Sequence, residues 1–572
     1  FDEVGTETPR IRRLAEEGLI FRNAFSNSPV CSVARSTLMT SCYPVRLGLH
    51  HHRTEPKIDL PPDFRPFPMH LRDAGYYTTN NVKTDYNFTG GDALWDESSR
   101  QATWRNRGDS QPFFHMQSFP VSHEGRLHFP GTDMDEIPIE GLDGIFVQPR
   151  HPDTELFRYT RARYHQQVQK MDEQVGAVID QLRDDGLLEN TFIFYFGDHG
   201  GPLPGSKAYL YETGLHVPLV VRVPENYREQ IGYEMGDRVE DFVSFVDFGP
   251  TLLNLAGIAV PDFVDGRPFL GSGAQTKEIP DVTFGFADRF DERIGMVRSV
   301  RKGDFKYVRN YLPWYPDALQ TNYRYRMAAY RQWREMFTAG QLNEVQSAFF
   351  LPQASEALYD IASDPYETRN LAGDEAFAQQ QKELVELLRE QQLRGPDLGF
   401  FSESTLQSVT DTTLGEFAID NRSRIRSIVH LFDAIYIAPH QLPDNELLDE
   451  LKSHQDPLVD SWVLSACVAK SAELRSLNDY VVNLLQTNSS PLVQLRAIEY
   501  LALASEQHPS TDILRLLAEA RSEYQVVEVL NAIVMLRDGP GQYDIPVTID
   551  SIPEQFREAK YVQRRLEYLT GR

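Results

Sequence analysis

A chain of 572 residues exceeds what one hydrophobic core supports, so a large domain with at least one appendage is expected. Its 57 Lys+Arg against 83 Asp+Glu leave a net charge of -26, which excludes nonspecific binding to nucleic acid, because a phosphate backbone needs a basic face. With 41% hydrophobic and 24% charged residues and no apolar run of bilayer length, the composition is that of a soluble, non-membrane protein, and Cys31, Cys42 and Cys467 make no disulfide framework.

No signal peptide is visible, yet the chain runs from Phe1 into a helix pattern within a few residues, so residues upstream are expected to be missing, whether a processed leader or others. From Thr8, TPRIRRLAEEGLIFRNAF reads as a capped start, an amphipathic helix with Ile11, Leu14 and Ala15 on one face, a stop at Gly18 and a strand over 19–25. Cys31 then opens a helix that Ser36 to Thr40 continue and Tyr43-Pro44 closes. A nucleophile at a helix N-terminus sits in a positive local field, which favours its anion and any anionic substrate beside it. A helix over 69–73 and a strand over 76–82 lead to Lys83, and a strand over 112–118 leads to His123. The stretch 154–188 is helical by its spacing of Val168, Met171, Val175, Val178, Ile179 and Leu182, and a strand over 191–196 ends in Gly197-Asp198-His199-Gly200.

Alternating helices and short apolar strands predict an α/β domain over 1–281, a mostly parallel sheet sandwiched by helices, with functional loops at the carboxyl ends of strands. The segments 207–223 and 239–257 complete it. Over 282–374 the segments 296–299, 305–311 and 357–360 read as a small antiparallel sheet. An insertion over 313–353, rich in Tyr, Trp, Phe and Arg, is either buried or one wall of a pocket. The stretch 375–572 reads as all-α, with a long helix over 375–393. Three similar segments start at Pro457, Pro491 and Tyr524, 34 and 33 residues apart, the period of a HEAT-like helical-repeat extension.

Taken singly, Cys31, Arg35, Lys83, His123, Asp198, His199 and Lys207 each have a structural explanation as core, surface charge or turn. Taken together they offer a nucleophile position, cations for an oxyanion, two imidazoles for proton transfer and a carboxylate for a hard metal ion. Those are the parts that hydrolysis of a sulfate or phosphate ester needs. The G-x-S-x-G elbow of a serine hydrolase and the H-E-x-x-H of a zinc protease are both missing. The run His50-His51-His52 has no spacing that points three imidazoles at one ion and reads as loop.

At this point the sequence resembles the type I, formylglycine-dependent sulfatases of the alkaline phosphatase superfamily. CSVARSTLMTSCYP is similar to the signature C-x-P-x-R followed by S-x-L-x-T-G-x-Y-P, with Val33 where the family usually has Pro or Ala. FFHMQSFPVSH, NTFIFYFGDHG, SKAYLYETGLHVPLVVR, DFGPTLLNLAGI and ALYDIASDPYETRNLA resemble, in order, the family's later motifs, so the resemblance covers about 6–373. It implies that a maturation enzyme oxidises Cys31 to formylglycine, whose hydrate supplies the attacking oxygen. Arg35 and Lys83 would hold that group, His123 and Lys207 would bind the sulfate and assist the departing alcohol, and Asp198 with His199 would sit at a calcium ion. The family's further metal-binding Asp pair lies on a strand before the segment matched here. Where the family often has a histidine two residues after the lysine, this chain has Asp85, read as a substrate-binding residue. The expectation is a periplasmic or secreted enzyme acting on a sulfated carbohydrate. The alternatives are a phosphonate or phosphodiester hydrolase and a non-catalytic carbohydrate-binding homologue.

Overall fold

The computed structural model describes residues 6–272, 274, 281–436, 446, 449, 452–453, 456–470, 475–505 and 507–571. The first helix, Pro9–Glu16, buries Ile11, Leu14 and Ala15 against the long helix Glu155–Asp184. Its opening N–H groups are capped from that helix: the Asp172 carboxylate accepts from Ile11 N at 2.8 Å and Arg10 N at 3.0 Å, supplying negative charge where the helix dipole is positive. Strand β1 (Gly18–Phe25) follows, then the helix Cys31–Thr40, all of whose residues are buried. Its hydroxyls tolerate burial by bonding one turn back, Ser36 to Ser32 O, Thr37 to Val33 O and Thr40 to Ser36 O.

The expected mostly parallel sheet is observed as two sheets. In one, β2 (Tyr77–Asn81) lies between β3 (Glu97–Ser98) and β4 (Phe113–Gln117), all parallel. In the other, β5 (Ile193–Phe196), β6 (Leu219–Arg222), β1 and β7 (Arg238–Ser244) lie in that order, with β1 and β7 parallel but β6 antiparallel to both β5 and β1. The physical reason is the connection: a parallel return needs a crossover helix, and between β5 and β6 the chain offers only Glu212–Leu215. A cavity of about 1790 Å³, lined by Phe114 and Met116 of β4 and by Phe194 and Phe196 of β5, lies between the end strands of the two sheets.

The small sheet is antiparallel as expected, in the order β11 (Glu356–Asp360), β10 (Phe305–Asn310), β9 (Val297–Lys302), β8 (Val282–Ala287). The sequence left the aromatic insertion open, and it is core: Trp314, Tyr315, Arg324, Tyr330 and Trp333 are buried. Further along the chain, the helices Pro457–Ala469, Pro491–Ala504 and Glu523–Asp538 alternate with Asn478–Thr487, Ser510–Ala518 and Lys560–Thr570 and pack on their neighbours.

A buried ion-pair triad ties the small sheet to the segment that follows the helix Ala378–Arg394. Arg298 of β9 grips Asp288 with two N–H groups at 3.0 Å and Asp397 at 2.7 and 2.9 Å. The approach is so close that a Cβ on Gly399 would stand 2.0 Å from Arg298 Nη2. Two carboxylates share one guanidinium, and one of them yields: burial pushes Asp288 up to about 7, Arg298 opposes that and Asp397 adds to it. A carboxyl raised above its unfolded value of about 4 contributes stability that is complete below that value and is lost as pH rises through 7. The expected result is an unfolding temperature that falls between pH 5 and pH 8, and an Asp288→Asn variant in which calorimetry records a flatter pH dependence.

Candidate active site

Cys31 is the first residue of its helix and 1% exposed, with Sγ 3.3 Å from His199 Nε2. His199 Nδ1 lies 2.8 Å from Gly200 O. That carbonyl can only accept, so Nδ1 carries the proton and Nε2 faces the sulfur. Burial alone would raise the Cys31 thiol, but Lys207, His199 and Lys83 outweigh it and hold it well below its ordinary value. Burial alone would lower His199, yet the Cys31 and Asp198 charges raise it. The two shifts have one cause, a site that favours an anion at position 31 beside an imidazolium.

Asp198 lies at the start of the loop after β5. Its Oδ2 is 3.2 Å from Lys83 Nζ and 3.9 Å from Arg35 Nη1, and despite burial, Lys83, His199 and Arg35 hold it far below the carboxylate range. Arg35, one helical turn after Cys31, does its holding through the backbone: it donates to Thr84 O at 2.9 Å and to Lys83 O, which pins the loop carrying Lys83. On the other side Lys207 Nζ is 3.4 Å from His123 Nε2. Gly125 N donates to His123 Nδ1 at 3.2 Å, so in neutral His123 the proton sits on Nε2. Two donors therefore converge, an arrangement that an anionic oxygen between them would satisfy.

Cys31, Arg35, Lys83, His123, Asp198, His199 and Lys207 are thus brought into one constellation. Asp85 is adjacent, its Oδ2 3.7 Å from Lys83 Nζ, but it is already engaged by Arg53. The His50-His51-His52 run is loop, as read, and buried; His52 supports the helix start by bonding Ser32 Oγ at 2.9 Å. Val33 is buried in a cluster with Val30, Ala208 and Phe290.

Sequence reasoning missed Glu124 and Arg324. Glu124, 2% exposed, lies 3.5 Å from Lys207 Nζ, and Arg324 donates to Lys207 O. Glu124 helps raise Lys207 above its usual value against the opposing effect of burial. Its position directly after His123 was the one available signal; Arg324, 117 residues from its partner, had none.

Position 31, Asp198 and His199 offer three ligand atoms within 4.8 Å of one another. Calcium takes six to eight oxygens, and this set supplies one carboxylate, itself bound to two cations. The described residues alone therefore fit part of a calcium site and do not complete one.

The family model described as Sulfatase matches residues 2–157 and 92–258, and one described as N-sulphoglucosamine sulphohydrolase, C-terminal, matches 205–313. An ulvan-active sulfatase of Formosa agariphila is 37% identical over 433 residues, covering 68% of this chain and 71% of that protein. The N-sulphoglucosamine sulphohydrolase of Homo sapiens is 27% identical over 444 residues, covering 67% and 84%. Among solved structures, the phosphonate monoester hydrolase of Agrobacterium radiobacter shares the fold with a TM-score of 0.50 at 18% identity, over 69% of this chain and 92% of that one. With a relative of this similarity matched over more than two thirds of its length, the chain belongs to the sulfatase family, the sulfuric ester hydrolases.

Proposed function

We propose that this sulfatase hydrolyses sulfate esters of a carbohydrate through a formylglycine made from Cys31. The observation that carries the reading is the convergence of Lys83, Lys207 and His199 on the buried position 31, with His123 beside Lys207. The carbohydrate is supported by the relatives, among them the ulvan-active sulfatase.

In this reading Lys207 and the Nε2–H of His123 bind the sulfate oxygens between them, while Lys83 balances charge from the opposite side. As formylglycine, position 31 would supply a geminal diol, one hydroxyl to attack sulfur and a second whose deprotonation lets the sulfate leave again. Attack forms an S–O bond in line with the S–O bond to the sugar, which breaks, and the departing alcohol takes its proton from the His123 and Lys207 side. Arg35 keeps Lys83 in place, and Glu124 keeps Lys207 charged. Asp198 would be a protein ligand of a calcium ion, with His199 beside it, and that ion would offset charge on the sulfuryl oxygens.

The same reading divides the chain into a sulfatase α/β unit over 1–281, an antiparallel subdomain over 282–374 and a HEAT-like extension over 375–572, matured by a formylglycine-generating enzyme and acting as a periplasmic or secreted protein. No helix of the described residues is long and apolar enough to cross a membrane.

The test is direct. Mass spectrometry of the Cys31 peptide from the mature protein should show a loss of about 18 Da, the change from thiol to aldehyde, and the protein should release inorganic sulfate from a sulfated oligosaccharide. An intact cysteine in a fully active preparation would sink the mechanism. Lys207→Ala is expected to lower kcat about 10²- to 10³-fold, the usual worth of one donor aimed at developing charge, read by steady-state sulfate release; a drop below tenfold would remove Lys207 from that role.

A further inference from the structure

The ion pair of Arg53 and Asp85 adjoins Lys83 and takes no part in the chemistry above. Arg53 grips the carboxylate with two N–H groups, Nε to Oδ1 at 2.8 Å and Nη2 to Oδ2 at 2.9 Å. The Asp85 side chain is 13% exposed and that of Arg53 45%, so the carboxylate is covered while the guanidinium is half open.

Both residues are tied to the reacting centre. Arg53 N donates to Ser32 Oγ at 3.0 Å, which fixes residue 53 to the first turn of the helix that begins at Cys31. Asp85 lies 3.7 Å from Lys83 Nζ, and Lys83 lies 3.2 Å from Asp198. The charges of Cys31 and Asp291 both bear on Arg53, and Arg564 of the final helix holds Asp291 at 3.0 Å.

The backbone at this pair is strained. Arg53 and Asp85 have φ of 51° and 53°, in the left-handed region that costs a non-glycine residue about 1–3 kcal/mol. Asp291 and Ala208, which follows Lys207, share that conformation with φ of 48° and 67°. Strain of this kind collects at ligand-binding sites.

The chemistry of the pair selects a ligand. Its charges cancel, so it has little attraction for a second anion. It retains unused guanidinium N–H donors beside a carboxylate with free lone pairs. A hydroxyl group, which accepts one hydrogen bond and donates another, satisfies both at once.

Resting on the carbohydrate-sulfatase reading, we infer that the Arg53–Asp85 pair is a specificity element that reads a ring hydroxyl beside the scissile sulfate ester, Arg53 donating to its oxygen and Asp85 accepting its proton. The aldehyde-bearing residue is blind to the sugar it desulfates; this pair makes the enzyme select among sulfated sugars that differ in a neighbouring hydroxyl.

The experiment uses the full-length mature protein and a panel of monosulfated sugars in which each ring hydroxyl is replaced by hydrogen in turn, with kcat/KM measured by sulfate release. One deoxy substrate is expected to lose about 30-fold or more in the unaltered enzyme, the worth of one hydrogen bond to a charged group. In Arg53→Gln and in Asp85→Asn that ratio should collapse towards 1. Because it compares two substrates on one enzyme, partial loss of folded protein cancels out of it. Discrimination that persists in both variants, or an unaltered enzyme that treats every deoxy sugar like its parent, overturns the inference alone. Failure of the unaltered enzyme to release sulfate from any sugar overturns the carbohydrate reading and the inference with it.

Discussion

Cys31→Ala is expected to abolish sulfate release, by on the order of 10⁶-fold, the loss typical of deleting a covalent nucleophile. The surrounding groups cannot compensate, because Lys207, Lys83 and His199 are arranged to stabilise an anion at that position and none of them lies in a free state to attack: Lys83 is held by Asp198, and His199 Nδ1 by Gly200 O. The fold should survive, since removing one sulfur at a buried helix start is expected to change stability by about 1 kcal/mol. Thermal unfolding of the variant near that of the parent, with no turnover, meets the expectation. Retained turnover would show that the reacting oxygen comes from elsewhere in the site.

Arg298→Met is expected to destabilise the protein by about 3–5 kcal/mol, because it leaves two buried carboxylates without their shared cation. Asp288 and Asp397 bind Arg298 through four hydrogen bonds, and all three side chains are essentially inaccessible to solvent. The cost should shrink in acid. Asp288, raised to about 7 in the folded protein, is protonated at pH 5, so only Asp397 then lacks compensation. Denaturant unfolding at pH 8 and pH 5 measures both numbers, and an equal cost at the two values would refute the assignment of charge to this triad.

Local pattern reached far in this chain. The apolar spacing of Ile11, Leu14 and Ala15, the break at Gly18 and the start at Cys31 each depend on residues within a turn or two, and the helices and strands formed within about two residues of where those signals stood. The chemical set was legible for a related reason: Lys83, His123 and Asp198 follow directly after strands or short strand-end turns, where an α/β fold gathers its functional loops.

What was not legible depends on partners far apart in the chain. Strand direction in the β5-β6-β1-β7 sheet follows from how the 197–218 connection returns, which no strand motif encodes. The aromatic insertion turned out to be core, because composition alone cannot tell an aromatic wall from an aromatic interior. Glu124 beside Lys207, Arg324 on the Lys207 carbonyl and Arg53 on Asp85 carry no motif; each gains its meaning from a partner tens of residues away. The sequence by itself determined the elements, the helix start at Cys31 and the charged residue types at the strand ends, because spacing and strand ends are local. Only the tertiary structure decided which charges meet, because ion pairing and burial fall off within a few ångströms and are set by packing rather than by order along the chain.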